Sequence, residues 1–312
     1  MTVFQYIILD AEAQHLLDSG LSTHVKRIIA DRNQPQEKLF EQFAGCEIAY
    51  GNIPAAWVAK SSQLKWLQLE SVGYESYNDI LPEFQKRGTI TNLQGFFGQP
   101  VAESALAGIL SLKRGIDKLT ILKSQKKWEG SVLRPGFTLL SGTKALIAGG
   151  GNIGQSIKKL LSGFDTQTVV YDKSPETGDI HSPEDFDREL PHADVVICCL
   201  PETNETKQFF NEHRFSLMRS SAVFVNVGRG GVVDEAILIR YLCEKRIAGA
   251  VLDVTLSEPL PSDHQLWDCP HTIITQHTGG GSENELTGKV KLFLDNLARY
   301  LCGQPLAKTV IA

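Results

Sequence analysis

The sequence predicts an α/β fold in two parts, each built on a parallel sheet. Three observations carry that expectation. Short apolar runs alternate with amphipathic segments along the whole chain. A glycine-rich turn at 149–154 sits between a strand-like run and a helix-like one. At 312 residues the chain is longer than one average domain.

In the first hundred residues, strand-like runs fall at 4–9 (FQYIIL), 25–30 (VKRIIA), 46–51 (CEIAYG), 64–69 (LKWLQL) and 88–92 (GTITN), with helical segments between most of them. That is a small α/β domain of flavodoxin-like type. The stretch 94–100 (QGFFGQP) reads as a crossover, and 101–114 (VAESALAGILSLKR) as a long apolar helix. From 144 on, the runs at 144–150, 168–172, 193–200, 222–228, 248–254 and 271–277 alternate with helix-like segments such as 211–219 and 234–245. Six strands in this pattern make a complete doubly wound, Rossmann dinucleotide-binding domain. The stretch 283–301 is a further helix, with Leu286, Val290, Phe293, Leu294 and Leu297 on one face. It is placed to return the chain to the first domain, and two crossings would make a hinged cleft. The expected boundaries are 1–98 with 283–312 for the substrate domain and 99–282 for the nucleotide domain.

The glycine turn is specific in its context. Gly149, Gly151 and Gly154 fit G-x-G-x-x-G: a sharp exit from the strand, close backbone approach to a pyrophosphate, and close packing of helix on sheet. The helix N-terminus that follows offers free N–H groups to phosphate. Asp172 ends the next strand, where a carboxylate accepts from both ribose hydroxyls of an adenosine. Its charge disfavours a 2′-phosphate, so NAD is expected and NADP is less favoured; Lys173 and Ser174 stand beside it and partly offset that charge.

Composition excludes several classes. A net charge of −5 gives no basic field for nucleic acid or anionic membrane. Cys46, Cys198, Cys199, Cys243, Cys269 and Cys302 form no C-x-x-C pair and show no metal-ligand spacing, so they read as core residues of a reduced, cytoplasmic protein, and no metal is expected. Cys198 and Cys199 are neighbours in a strand and point to opposite faces. The opening MTVFQYIILD lacks a basic n-region and reads as a first strand rather than a signal peptide, and no apolar run is long enough to span a membrane.

Ligands of open parallel sheets bind beyond the carboxyl ends of the strands. There the sequence places Arg229 in GRGGVVDE, Glu258 in LDVTLSEPL and His277 in TQHTGGG. Reduction of a keto carbon leaves an alkoxide that needs a proton, and a histidine, ordinarily titrating at about 6.5, is the natural donor. Glu258 is the residue to hold that ring, and Arg229 the planar fork for a carboxylate and a polarised carbonyl. Plainer roles exist for each: a satisfied histidine, a helix cap near Asp234, a turn before Pro259. Asp253 lies inside an apolar strand, where a carboxylate is costly unless paired, and it could accept from a nicotinamide carboxamide. In the first domain, Ser71-Val72-Gly73-Tyr74 follows a strand and could present N–H groups to a substrate carboxylate.

Taken together, SVGY at 71–74, VAES at 101–104, GGGNIG at 149–154, LPETNET at 200–206, NVGRGGVVDE at 226–235, GAVLDV with SEPLP at 249–261 and TQHTGG at 275–280 resemble the D-isomer-specific 2-hydroxyacid dehydrogenase family over nearly the whole chain. GFFGQPVAE at 95–103 is most similar to its shorter, glyoxylate and hydroxypyruvate reductase-like members. The resemblance implies that Arg229, Glu258 and His277 are catalytic, and that Val72, Gly73 and Tyr74 hold the substrate with Arg229 and His277. For the cofactor it implies Gly149, Gly151, Asn152, Ile153, Gly154, Asp172, Pro201, Thr206, Val227, Gly228, Arg229, Asp253, His277 and Gly279. It also implies a homodimer joined through the nucleotide domains, with segment 101–140 contributing.

The implied activity interconverts a small 2-keto acid and its D-2-hydroxy acid. Other readings are a NAD-binding, corepressor-like regulator, an enzyme that binds cofactor but turns over poorly, and a phosphoglycerate dehydrogenase-like enzyme, the last weakened by the lack of an added C-terminal domain. Gln276 replaces the proline that usually precedes the catalytic histidine, which is expected to loosen that turn. Glu75 stands where the family often has Asp, so a different pocket is expected. Formate dehydrogenases of the superfamily carry glutamine where Glu258 stands, which argues against that activity.

Overall fold

In the computed structural model, which describes residues 1–310, the chain divides into two compact units. One comprises Met1–Phe96 with the stretch from Ser282 onward, the other Phe97–Gly281.

The first unit runs β1 (Thr2–Gln5), α1 (Ala11–Gly20), β2 (Lys26–Ile29), α2 (Gln36–Ala44), β3 (Ile48–Tyr50), α3 (Ala55–Lys60), β4 (Trp66–Gln68), α4 (Leu81–Phe84) and β5 (Thr89–Thr91). The strands form one parallel sheet, order β2-β1-β3-β4-β5. Side chains alternate between its faces as strand geometry requires. Phe4, Ala49, Leu67 and Ile90 join one core, and Val3, Ile48, Tyr50 and Trp66 the other.

The second unit begins with α5 (Gly98–Arg114) and α6 (Ile116–Ser124). There follow β6 (Lys144–Ala148), α7 (Asn152–Ser162), β7 (Gln167–Tyr171), α8 (Pro183–Glu189), β8 (Val195–Cys198), α9 (Glu212–Leu217), β9 (Val223–Asn226), α10 (Glu235–Cys243), β10 (Gly249–Leu252) and β11 (Thr272–Ile274). The parallel order β11-β10-β9-β8-β6-β7 is doubly wound, reversing direction at β6. Again the faces separate cleanly. Leu146, Ala148, Val196, Cys198, Phe224 and Leu252 pack on one side, and Ala145, Ile147, Val195, Ile197, Val225 and Val251 on the other with α5 and α7. Cys198 and Cys199 pack into these opposite layers. Burial pushes the Cys198 thiol up to about 12, so it remains a neutral core group.

The last helix, α11 (Glu285–Leu301), belongs to the first unit and buries Val290, Phe293 and Leu297 there. Phe293 stacks on Tyr50 with ring centroids 4.3 Å apart and on Trp66 at 5.1 Å. Beyond it the chain returns to the edge of β5, where Val310 N–H donates to Ile90 O at 2.9 Å.

The first strand is shorter than its apolar run suggests. It stops at Gln5 because Tyr6 and Ile7 N–H both converge on the carbonyl of Tyr50, at 2.8 and 3.1 Å, which breaks the ladder. Asp10, which ends the apolar run, caps α1 by accepting from Ala13 N–H at 2.8 Å. Ile8 is left in solvent. The remaining strands fall on their expected runs, mostly shortened at the ends, except that β7 begins one residue early, at Gln167. No helix among the described residues is long and apolar enough to cross a membrane.

Candidate active site

Strand register sets the site out. Asn226, Leu252 and Ile274 lie level across β9, β10 and β11. The segments that continue from these ends carry Arg229, Asp253 with Glu258, and His277, all on one edge of the sheet.

His277 and Glu258 meet. His277 Nδ1 is 2.7 Å from Glu258 Oε2, and Glu258 Oε1 accepts from Thr255 N–H at 3.1 Å. His277 is half exposed, so its other ring nitrogen is available to a ligand. A cavity of about 410 Å³ adjoins the pair, lined by Thr255, Leu260, Trp267, Ile274 and Gln276 among others.

His277 sits in a tight turn. Gln276 and His277 have φ of +54° and +57°, and Thr278 N–H donates to Thr275 O at 3.0 Å. Two successive left-handed residues closed by that bond make a type I′ turn. The turn is therefore firmly closed rather than loosened by Gln276. Proline, with φ held near −65°, cannot take this conformation.

Asp253 clamps the turn from inside. Its carbonyl accepts from His277 N–H at 2.6 Å, and its Oδ1 accepts from Thr275 Oγ1 at 2.6 Å and Gly279 N–H at 2.9 Å. These bonds satisfy a carboxylate that is 5 % exposed. A Cβ on Gly279 would crowd Asp253 Oδ2 at 2.9 Å, so only glycine allows this approach.

Arg229 follows β9 in extended backbone and is half-buried. Its Nη1 donates to Gly228 O at 2.8 Å. Asn226, buried at the strand end, holds the loop: its Oδ1 accepts from Gly228 N–H and its Nδ2 donates to Arg229 O, both at 3.1 Å. Val227 is buried, its N–H donating to Cys198 O at 3.0 Å. Beside it, Pro201 O accepts from Thr206 Oγ1 at 2.6 Å, which closes the loop after β8. A Cβ on Gly228 would come within 2.5 Å of Leu200 O, so the loops after β8 and β9 lie against one another.

Sequence reasoning missed a support for Glu258. Asp234, not Arg229, caps α10, and the next residue, Glu235, accepts from Leu256 N–H at 3.0 Å. Its other oxygen lies 3.3 Å from His264 Nε2, while His264 Nδ1 accepts from Leu266 N–H at 3.3 Å. That places the ring proton on Nε2, facing Glu235. A Cβ on Gly230 would overlap the carbonyl of Thr255, so the loop after β9 presses directly on the segment that carries Glu258. The only sequence hint was an acidic residue directly after a capping aspartate.

The glycine turn fits a dinucleotide. Gly149 has φ of +104°, and a Cβ on Gly154 would overlap Gly149 O. Around Gly151 there is open space, and the N–H groups of Gly151, Asn152 and Ile153 donate to no acceptor among the described residues. Free N–H groups at a helix start are the kind of group that can receive an anion. Asp172 reaches back to it: Oδ2 accepts from Gly150 N–H at 2.6 Å and Oδ1 from Ser174 N–H at 2.9 Å. Lys173 is engaged by Glu205. In the other unit, the loop after β4 is held by its carbonyls. Ser71 O accepts from Leu93 N–H at 3.0 Å, and Val72 O from Asn92 Nδ2 at 2.7 Å. The N–H groups of Val72, Gly73 and Tyr74 donate to no acceptor among the described residues.

Residues 106–279, more than half of the chain, match the model of the family described as "D-isomer specific 2-hydroxyacid dehydrogenase, NAD binding domain". The chain belongs to the D-isomer specific 2-hydroxyacid dehydrogenases. It is thus an oxidoreductase of the CH–OH group that works with a nicotinamide cofactor. Among relatives, it is 29 % identical to the glyoxylate reductase of Thermococcus litoralis, over 86 % of this chain and 83 % of that one. It is 28 % identical to glyoxylate/hydroxypyruvate reductase B of Klebsiella pneumoniae, over 97 % and 95 %. The crystal structure of a D-isomer specific 2-hydroxyacid dehydrogenase family protein from Aeromonas salmonicida superposes with a TM-score of 0.85 at 27 % identity, covering 99 % of this dehydrogenase and 98 % of that chain.

Proposed function

We propose that this dehydrogenase reduces a small 2-keto acid of the glyoxylate, hydroxypyruvate or pyruvate type to the D-2-hydroxy acid, with NADH as reductant. The observation that carries the reading is the 2.7 Å contact of His277 Nδ1 with Glu258. It leaves Nε2 to give a proton to a substrate oxygen. The glyoxylate and hydroxypyruvate reductases among its relatives support the substrate class.

Arg229 polarises the carbonyl and pairs with the carboxylate, and the N–H groups of Val72, Gly73 and Tyr74 bind that carboxylate as well. A bound reduced nicotinamide supplies the hydride. As charge grows on the substrate oxygen, His277 Nε2 donates its proton there, and Glu258 holds the ring in place. In the reverse direction, neutral His277 takes the hydroxyl proton. The N–H groups of Gly151, Asn152 and Ile153 bind the pyrophosphate, with the loops at Pro201–Thr206 and Val227–Gly228 beside it. Asp172 binds the adenosine ribose. Asp253 Oδ2 and Gly279 border the nicotinamide end. NAD is favoured over NADP by the Asp172 charge, because the neighbouring Lys173 is already paired with Glu205.

We further propose a homodimer through the nucleotide-binding unit. Ile116, Ile121, Trp128, Val132 and Leu139 are large apolar side chains left at least half exposed within one segment of that unit. The test of function is oxidation of NADH and NADPH across a panel of 2-keto acids, with His277→Ala in parallel. Turnover with NADH that collapses in the variant supports the reading. No turnover on any keto acid, with NADH binding intact, overturns it in favour of a cofactor-sensing role.

A further inference from the structure

Away from these residues, two thiols of the nucleotide-binding unit lie side by side. Cys243 is the last residue of α10 and is exposed; Cys269 follows the 3₁₀ turn Gln265–Asp268 and is 7 % exposed. Both are free thiols, with Sγ atoms 3.9 Å apart. They come from segments 26 residues apart that the fold brings together.

We propose that Cys243 and Cys269 are a modification site: an oxidisable pair that forms a reversible disulfide by exchange with a small disulfide of the glutathione class. A disulfide needs its sulfurs at about 2.05 Å. The two sulfurs, 3.9 Å apart, must approach further to reach that length, and Cys243 is the exposed member of the pair.

The environments assign the order of events. Cys243 is the thiol that solvent reaches, so its thiolate attacks one sulfur of oxidised glutathione. The glutathione S–S bond breaks, a mixed disulfide forms on Cys243, and the first glutathione leaves as thiolate. Cys269 then gives its proton to solvent and attacks the Cys243 sulfur. The mixed bond breaks and the second glutathione leaves as thiolate. Two protein thiols are oxidised, and one glutathione disulfide is reduced to two thiols. Burial, followed by the contact with Cys243, pushes the Cys269 thiol up to about 12, so the second step is the slow one.

The bond would close a ring around the whole of β10 with Asp253, Glu258 and His264. A crosslink of this kind stabilises mainly by restricting the unfolded chain. Oxidation therefore makes opening of the segment that carries Glu258 more costly.

The experiment incubates the native protein with oxidised glutathione, quenches with an alkylating reagent, and reads intact mass, peptide map and amide exchange. The expected result is a loss of about 2 Da, corresponding to two hydrogens, with Cys243 and Cys269 joined in one peptide pair and both blocked to alkylation. Dithiothreitol reverses it. Amide exchange across 249–266 slows by about tenfold or more, and C243S shows neither the link nor the slowing. A wild-type protein that stops at a glutathione adduct on Cys243, or in which Cys243 is alkylated while Cys269 stays reduced, overturns the proposal.

Discussion

The ring of His277 is held at Nδ1 by Glu258 Oε2, 2.7 Å away, while the same carboxylate is anchored through Oε1 to the backbone of Thr255. One carboxylate thus orients the ring and is itself oriented. His277→Ala removes the proposed proton donor and should lower kcat/KM by about a hundred- to ten-thousand-fold. Glu258→Gln keeps the shape but lets the ring turn, and should lower kcat by about tenfold or more with little change in KM. Steady-state kinetics of both variants against pH are the check. A Glu258→Gln enzyme with unaltered kcat would refute the orienting role.

The left-handed pair at 276 and 277 suggests a second test. A non-glycine residue in this region costs about 1–2 kcal/mol. Gln276→Gly should relieve part of that and raise Tm by about 2–4 °C. Gln276→Pro cannot close the type I′ turn and should lower both Tm and kcat. Thermal melts of the two variants decide the matter, and a proline variant as stable and active as the parent would contradict the turn described here.

Glu235 acts through the segment it holds. Glu235→Ala leaves Leu256 N–H and His264 without their acceptor and should reduce kcat several-fold, at a stability loss of about 1 kcal/mol. Glu235→Gln keeps an oxygen for Leu256 and should recover most of the kcat. Equal losses in the two variants would mean that the backbone hydrogen bond is not what matters.

Cofactor preference should follow Asp172 and its neighbours. Asp172→Ala removes the charge proposed to oppose a 2′-phosphate, and Glu205→Gln releases Lys173. Together they should shift the ratio of kcat/KM for NADH over NADPH towards NADPH by about tenfold, a change of ~1.4 kcal/mol. Competition assays with both cofactors measure it. An unchanged ratio would assign the preference elsewhere.

Lys113 offers a test of pH dependence. It is 7 % exposed, and burial holds its amine below the ordinary lysine range, with Asp194 opposing part of the shift. The folded state therefore gives up this proton before the unfolded chain does. Its penalty is fully present below the folded pKa and fades as pH rises towards the unfolded value of 10.5. Lys113→Met should be the more stable protein at pH 7, and its advantage should shrink by pH 10 in denaturant titrations. A constant gap across that range would argue against the burial effect.

Much of this was legible in the sequence because it is local or periodic. The glycine turn, the alternating strand faces and the placing of Arg229, Glu258 and His277 after strand ends all follow from spacing. What was not legible depends on distant partners. Nothing in Tyr6 and Ile7 announces that both will donate to Tyr50 and end β1. The tie of Glu235 to Leu256 spans 21 residues of chain. The turn at Gln276 and His277 was hidden for another reason: non-glycine residues seldom take left-handed backbone, and the bonds to Asp253 and Thr275 that close it come from the fold.

The level pairing of Asn226, Leu252 and Ile274 separates what must be inherited together from what can change alone. Inside that line, a residue added to one strand would turn every following side chain onto the wrong layer. Outside it, the segments bearing Arg229, Glu258 and His277 answer to no ladder. Insertions there can rearrange these three side chains while the scaffold stays intact, so a new site can arise without a new fold.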